Sequence, residues 1–143
     1  MAQPMPAQRI LAIDPGERRT GVAATDWTGT IAVPLARLDH RGMDEIPELL
    51  VALVSERETE RLLIGVPLGV DGSQGPQAKK VLALVDKLTK RFPQLEICTI
   101  DEAHSSDIAH AQLKAAGVKA ARRKHHVDSL AALEILRRHL DLV

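Results

Sequence analysis

The sequence predicts an α/β domain built on a mixed five-stranded sheet with helices on its faces, and three observations carry that prediction. The chain opens with short apolar runs separated by closely spaced turn residues. Further along, such runs alternate with stretches whose apolar residues recur at helical spacing. Two of the runs end on acidic residues, the pattern of buried strands whose carboxyl ends face a ligand crevice.

Gln8 to Asp14 is an apolar run closed by an acid, and Pro15-Gly16 turns the chain. Thr20 to Asp26 and Thr30 to Leu38 follow with Gly29 between them, which predicts a three-stranded antiparallel meander. The period then changes. Ile46, Leu49, Leu50, Leu53 and Val54 form the stripe of an amphipathic helix, with Asp44 as its expected N-cap and Pro47 in its first turn. Arg61 to Val66 is the continuous apolar run of a strand buried in a parallel sheet. A Gly- and Pro-rich loop, Pro67 to Pro76, precedes a second helix marked by Val81, Leu82, Leu84, Val85 and Leu88.

Leu95 to Ile100 reads as the fifth strand and runs into Asp101-Glu102. A helix is expected over Ala103 to Ala116, stopped by Gly117. Val118 to His126 is a short basic segment, and a last helix is expected from Val127 to Leu140 with Asp128 in its first turn. Helices alternating with strands late in the chain imply parallel pairing there. Residues 9–143 are expected to form one domain, and residues 1–8 a flexible lead-in without the apolar core of a signal peptide.

Composition narrows the function. Apolar residues make up 45% of the 143, enough for a globular core. No run reaches the roughly 18 apolar residues of a membrane span. The single cysteine, Cys98, is expected in the core; it excludes a disulfide framework and points to a reducing cytoplasm. Lys plus Arg and Asp plus Glu each number 19, so the chain does not coat nucleic acid through bulk charge. With one Trp, one Phe and no Tyr, base recognition by stacking on aromatic platforms is not expected.

The acids carry the chemistry. Asp14 ends the first strand, Asp101-Glu102 end the last, and Asp128 is expected to open the final helix. Carboxylates gathered at one crevice repel each other, and a shared hard cation, Mg²⁺ or Mn²⁺, relieves that cost. Two such ions about 4 Å apart activate water and stabilise the leaving oxygen of a phosphodiester. Each acid also has a plain structural reading as a turn or capping residue; their joint placement favours the metal site. Ser129, Ala131 and Ala132 are small, which lets the last helix approach the sheet. Arg122, Arg123 and Lys124 form a basic run leading to Asp128, suited to a phosphate backbone. Gly16 reads equally as a phosphate approach or a tight turn, and Gly21 as a hairpin residue.

Four stretches resemble one family. ILAIDPGERRTGVA (Ile10 to Ala23), LLIGVPLGVDGSQG (Leu62 to Gly75), TIDEAHSS (Thr99 to Ser106) and VDSLAALEIL (Val127 to Leu136) are similar, in order, to the motifs of the YqgF or RuvX-like proteins. The resemblance implies an RNase H-like fold and a divalent-metal nuclease. Its substrate would be precursor 16S rRNA, matured at the 5′ end, or branched DNA such as a Holliday junction. Carried over by position, Asp14, Glu102 and Asp128 would bind metal and catalyse, with Asp101 a neighbour sharing the work. Arg18 matches the family's basic position, and Ser73 lies in the loop that the match sets beside the active site. The chain departs from the pattern at Ala103, where the family has Arg, at Ser105-Ser106, where it has Thr, and at His126, where it has Lys. Lys124, His125 and His126 are the candidates to make up the lost contacts, a histidine near the metals also as a positioner of water or a proton carrier, while Arg123 belongs to the basic run that would bind the backbone.

An actin-like ATPase also opens on Asp-x-Gly but requires a second related domain that this sequence lacks. A non-catalytic nucleic-acid-binding protein would keep the fold without needing the acids. The sequence leaves a monomer and a homodimer both open.

Overall fold

The computed structural model describes residues 8–69, 72–101 and 120–142, with side chains in the last stretch described from Ser129 to Leu140. The expected helix at 103–116 lies outside the described residues, as do most of the lead-in and Asp71. Strands β1 (Ile10–Asp14), β2 (Arg19–Thr25) and β3 (Ala32–Asp39) form the meander. After a 3-10 turn (Met43–Glu45) come α1 (Ile46–Glu56), β4 (Arg61–Val66), α2 (Pro76–Arg91), β5 (Glu96–Asp101) and α3 (Ala120–Leu142). The sheet order is β3-β2-β1-β4-β5; the meander pairs antiparallel, while β1, β4 and β5 run parallel. This is the mixed five-stranded sheet that the sequence predicts.

Strand alternation divides the core in two. Leu11 and Ile13 of β1, with Leu62, Ile64 and Val66 of β4, pack against Leu50 and Val54 of α1 and Val81, Leu84 and Leu88 of α2. Ile10, Ala12 and Leu63 face the other way and meet Ala132, Leu133, Ile135 and Leu136 of α3. Burial of both faces explains why β1 and β4 read as continuous apolar runs. Cys98 is half-buried on the α3 face rather than sealed in the core, because β5 is an edge strand. Pro34 is tolerated because β3 forms the opposite edge.

Two expectations are corrected. Asp44 does not cap α1: it sits inside the 3-10 turn, and Glu45, already in helical conformation, takes the N-cap position without a side-chain capping bond. The chain thus enters α1 through a continuous tightening turn, with Pro47 in the first turn where its missing N–H costs nothing. The last helix already includes Ala120 rather than opening at Val127, so residues 120–126 of the basic segment are helical and Asp128 lies about two turns inside α3. Ala, Arg and Lys are strong helix formers, and no Gly or Pro interrupts them.

α3 is fastened near its middle and at its carboxyl end. The buried Ser129 hydroxyl donates to the carbonyl of Leu35 on β3 at 2.6 Å. At the far end Arg138 Nη1 donates to the Asp101 carbonyl at 3.2 Å. Arg61 Nη1 donates to His139 Nε2 at 2.9 Å, while Arg61 also pairs with Glu96 at 2.7 Å. Burial, then the Arg61 charge, lowers the His139 pKa, with Glu96 opposing them. The unfolded chain therefore protonates this histidine more readily than the native one. Its neutral form supports the fold above about pH 6.5, and that support declines as pH falls below the unfolded value. Thermal melts between about pH 7.5 and 5.5 should show Tm falling with pH, and His139→Gln should flatten that slope.

Candidate active site

Parallel β1, β4 and β5 bring their carboxyl ends to one edge of the sheet. Asp14 is the last residue of β1 and Asp101 the last of β5, as the sequence predicts. The β1–β2 turn with Arg18 and the β4–α2 loop with Ser73 leave from that same edge, and both residues are exposed. A Lys80–Glu17 ion pair ties the turn after Asp14 to α2. Lys80 holds the Glu17 carboxyl below its ordinary pKa, chiefly by hydrogen bonding.

Register separates the two aspartates. Asp14 follows Ala12 and Ile10 on the face that α3 covers. Asp101 pairs with Val66, whose side chain belongs to the α1–α2 face. Neighbouring residues in a strand point to opposite faces, so Asp101 is presented away from the Asp14 row. Ser129, next after Asp128 in α3, is anchored on the Asp14 face of the sheet. Glu102 and the side chains of Arg123, Lys124, His126 and Asp128 lie outside the described residues. Among the described residues no three His, Cys, Asp or Glu side chains gather into a cation-binding group.

Glycines flank Asp14, a feature not recognised in the sequence. Gly21 is its direct partner on β2, and Gly65 follows Ile64, the partner of Ile13 on β4. Neither contributes a side chain to the row around the carboxylate. Gly65 follows an apolar run in sequence, but only the non-local register places it beside Asp14. Gly16 has a steric role: a Cβ there would lie 2.3 Å from the Arg19 carbonyl oxygen, inside any real contact. Gly16→Ala should force the turn open, costing on the order of 1–3 kcal/mol in denaturant titrations. Cleavage should fall further than the folded fraction does.

The chain matches the family described as "RuvX: Holliday junction resolvase" over residues 8–142. It belongs to that family. A relative from Chloroflexus aurantiacus, named "Putative pre-16S rRNA nuclease", is 37% identical over 134 residues, covering 94% of this chain and 87% of its own. A protein of the same name from Crocosphaera subtropica is 40% identical over 131 residues, covering 92% and 91%. Among solved structures, T. thermophilus RuvC in complex with a Holliday junction substrate superposes with a TM-score of 0.59. That match is 15% identical and covers 94% of this RuvX-family chain and 96% of RuvC. The Fowlpox virus resolvase bound to Holliday junction DNA gives 0.58 at 9% identity, covering 94% and 98%. At such identities these likenesses speak for the fold, which is RNase H-like. No helix among the described residues is long and apolar enough to cross a membrane.

Proposed function

We propose that residues 9–143 form one nuclease domain that hydrolyses phosphodiester bonds with the help of a divalent cation. Its substrate in this reading is precursor 16S rRNA, cut in maturation of the 5′ end, which would place its action in the cytoplasm. The observation that carries the proposal is Asp14 at the carboxyl edge of β1, between two glycines, on the face to which α3 is anchored. Family membership and the names of full-length relatives support the reaction class and the RNA.

An all-carboxylate donor set suits Mg²⁺ or Mn²⁺, and the flanking glycines add no competing side chain. Asp14, Glu102 and Asp128 would hold the ion. A bound cation supplies an activated water and stabilises the charge of the leaving oxygen. Arg18, Ser73, Arg123, Lys124 and His126 would hold the strand by its phosphates, a contact that fixes register without reading bases. Asp101, presented to the other face, would act on the strand or on β5 rather than on the ion. Incubating labelled precursor RNA with Mg²⁺, Mn²⁺ or EDTA tests the reading: cleavage with either metal and none with EDTA is expected. Undiminished cleavage in EDTA would refute the metal requirement.

Branched DNA is the second reading, favoured by the family description. The same site would serve both, because a backbone-reading enzyme carries little base code.

A further inference from the structure

The edge of the sheet opposite Asp14 carries a cavity of about 340 Å³, lined by residues including Ile10, Thr25, Trp27, Arg57 and Thr59. Its size falls in the range of roughly 300–1,000 Å³ that small-molecule sites occupy. Trp27, the only tryptophan of the chain, lines it while 76% exposed.

Trp27 is held in place. The Arg9 guanidinium lies 4.7 Å from the centroid of the indole and is itself paired with Glu58. The hairpin beneath is locked by the Asp26 carboxylate, which accepts bonds from Thr28 N at 3.2 Å, Thr28 Oγ1 at 2.6 Å and Ile31 N at 3.3 Å. Asp26 is thereby committed to the turn. Arg57 is different. Among the described residues its guanidinium makes one hydrogen bond, a long one of 3.4 Å to the Thr25 carbonyl, and no carboxylate pair. Glu56 also lines the cavity but is exposed, where water and salt screen its charge.

An indole held by Arg9 and a cation without a carboxylate partner, lining one cavity, suit a planar base carrying a phosphate. We propose that this cavity binds one unpaired nucleotide, its base against Trp27 and its phosphate at Arg57. The nuclease reading enters only in naming the source of that nucleotide, a single-stranded part of the substrate. β1 is about 13 Å long and covered on both faces, so a strand reaching from the cavity to Asp14 would run around the surface of the domain rather than along β1. A single stacking position at the end of such a strand would act as a ruler rather than a platform.

Trp27 also reports on the site. The 143-residue chain in EDTA, where no cleavage is expected, would be titrated with a single-stranded RNA octamer, the same octamer in a blunt duplex, and nucleoside 5′-monophosphates. Tryptophan fluorescence would be the readout. Saturable quenching by the single strand is expected, with Arg57→Gln weakening it about tenfold. Trp27→Ala, a surface change, should weaken binding of a labelled octamer by a similar factor in anisotropy. Quenching by monophosphates as well would mean that free nucleotides also fill the site, and quenching by the octamer alone that strand context is required; either supports the proposal. Octamer binding with unchanged fluorescence, equal quenching in Arg57→Gln, or equal quenching by the duplex would overturn it. Cleavage in Mg²⁺ is measured separately, so failure of this site leaves the nuclease reading standing, and the converse also holds.

Discussion

Asp14→Asn should lower cleavage of precursor RNA by about a thousandfold or more while leaving the protein folded. A bound divalent ion is worth several kcal/mol of transition-state stabilisation, and each 1.36 kcal/mol is about tenfold in rate. Asn keeps the shape of Asp14 and one oxygen but loses the charge that, in the proposed reading, would draw the cation. The position is the end of β1 and only partly buried, so the strand pairing to Gly21 should persist. The check is a rate measurement beside a thermal melt: equal Tm with lost cleavage is expected. Binding of RNA in EDTA should change little, because in the proposed reading the strand would be held by basic residues other than Asp14.

The largest effect on stability is expected at Leu63. It is fully buried on β4 and packs into the cluster that joins the sheet to α3. Leu63→Ala should cost about 2–5 kcal/mol, the lost burial plus the cavity left behind. For a chain of this size that corresponds to a fall in Tm of roughly 10 °C. Cleavage per folded molecule should stay close to normal at low temperature, since Leu63 does not reach the carboxyl edge. The two variants thus dissociate: one loses chemistry and keeps stability, the other does the reverse.

The parts legible in the sequence are those written in local patterns. β1 and β4 are buried on both faces, so an unbroken apolar run announces them. α1 and α2 each carry a stripe facing one side of the sheet. The start of α3 was not legible because its first two turns are polar and basic, and helix propensity without an apolar stripe leaves no periodic signal. The capping arrangement before α1 was missed because Asp44 has the right chemistry for a cap, while Glu45 enters helical conformation without one.

The site was legible to the same degree. Asp14 stands out as an acid that closes an apolar run, and the structure sets it at the edge where such an acid can serve. That Asp101 faces away from the Asp14 row was not legible, because it follows from the pairing of Asp101 with Val66 on another strand. The glycine row was hidden because Gly21 and Gly65 meet Asp14 only through strand pairing, and the partner from β4 arrives about 50 residues later in the chain. The Trp27 cavity was hidden for a related reason. It joins the end of β2, the end of α1 and the start of β1, and no linear motif records that meeting.

The most direct test of the account compares the native protein with Asp14→Asn on a labelled precursor-like RNA and on a four-way DNA junction, in Mg²⁺, Mn²⁺ and EDTA. Metal-dependent cleavage of the RNA, lost in the variant and weaker on the junction, is the predicted result. Cleavage of neither substrate, with both proteins binding equally well, would contradict the catalytic role of the acids and leave the RNase H-like fold as a binding scaffold.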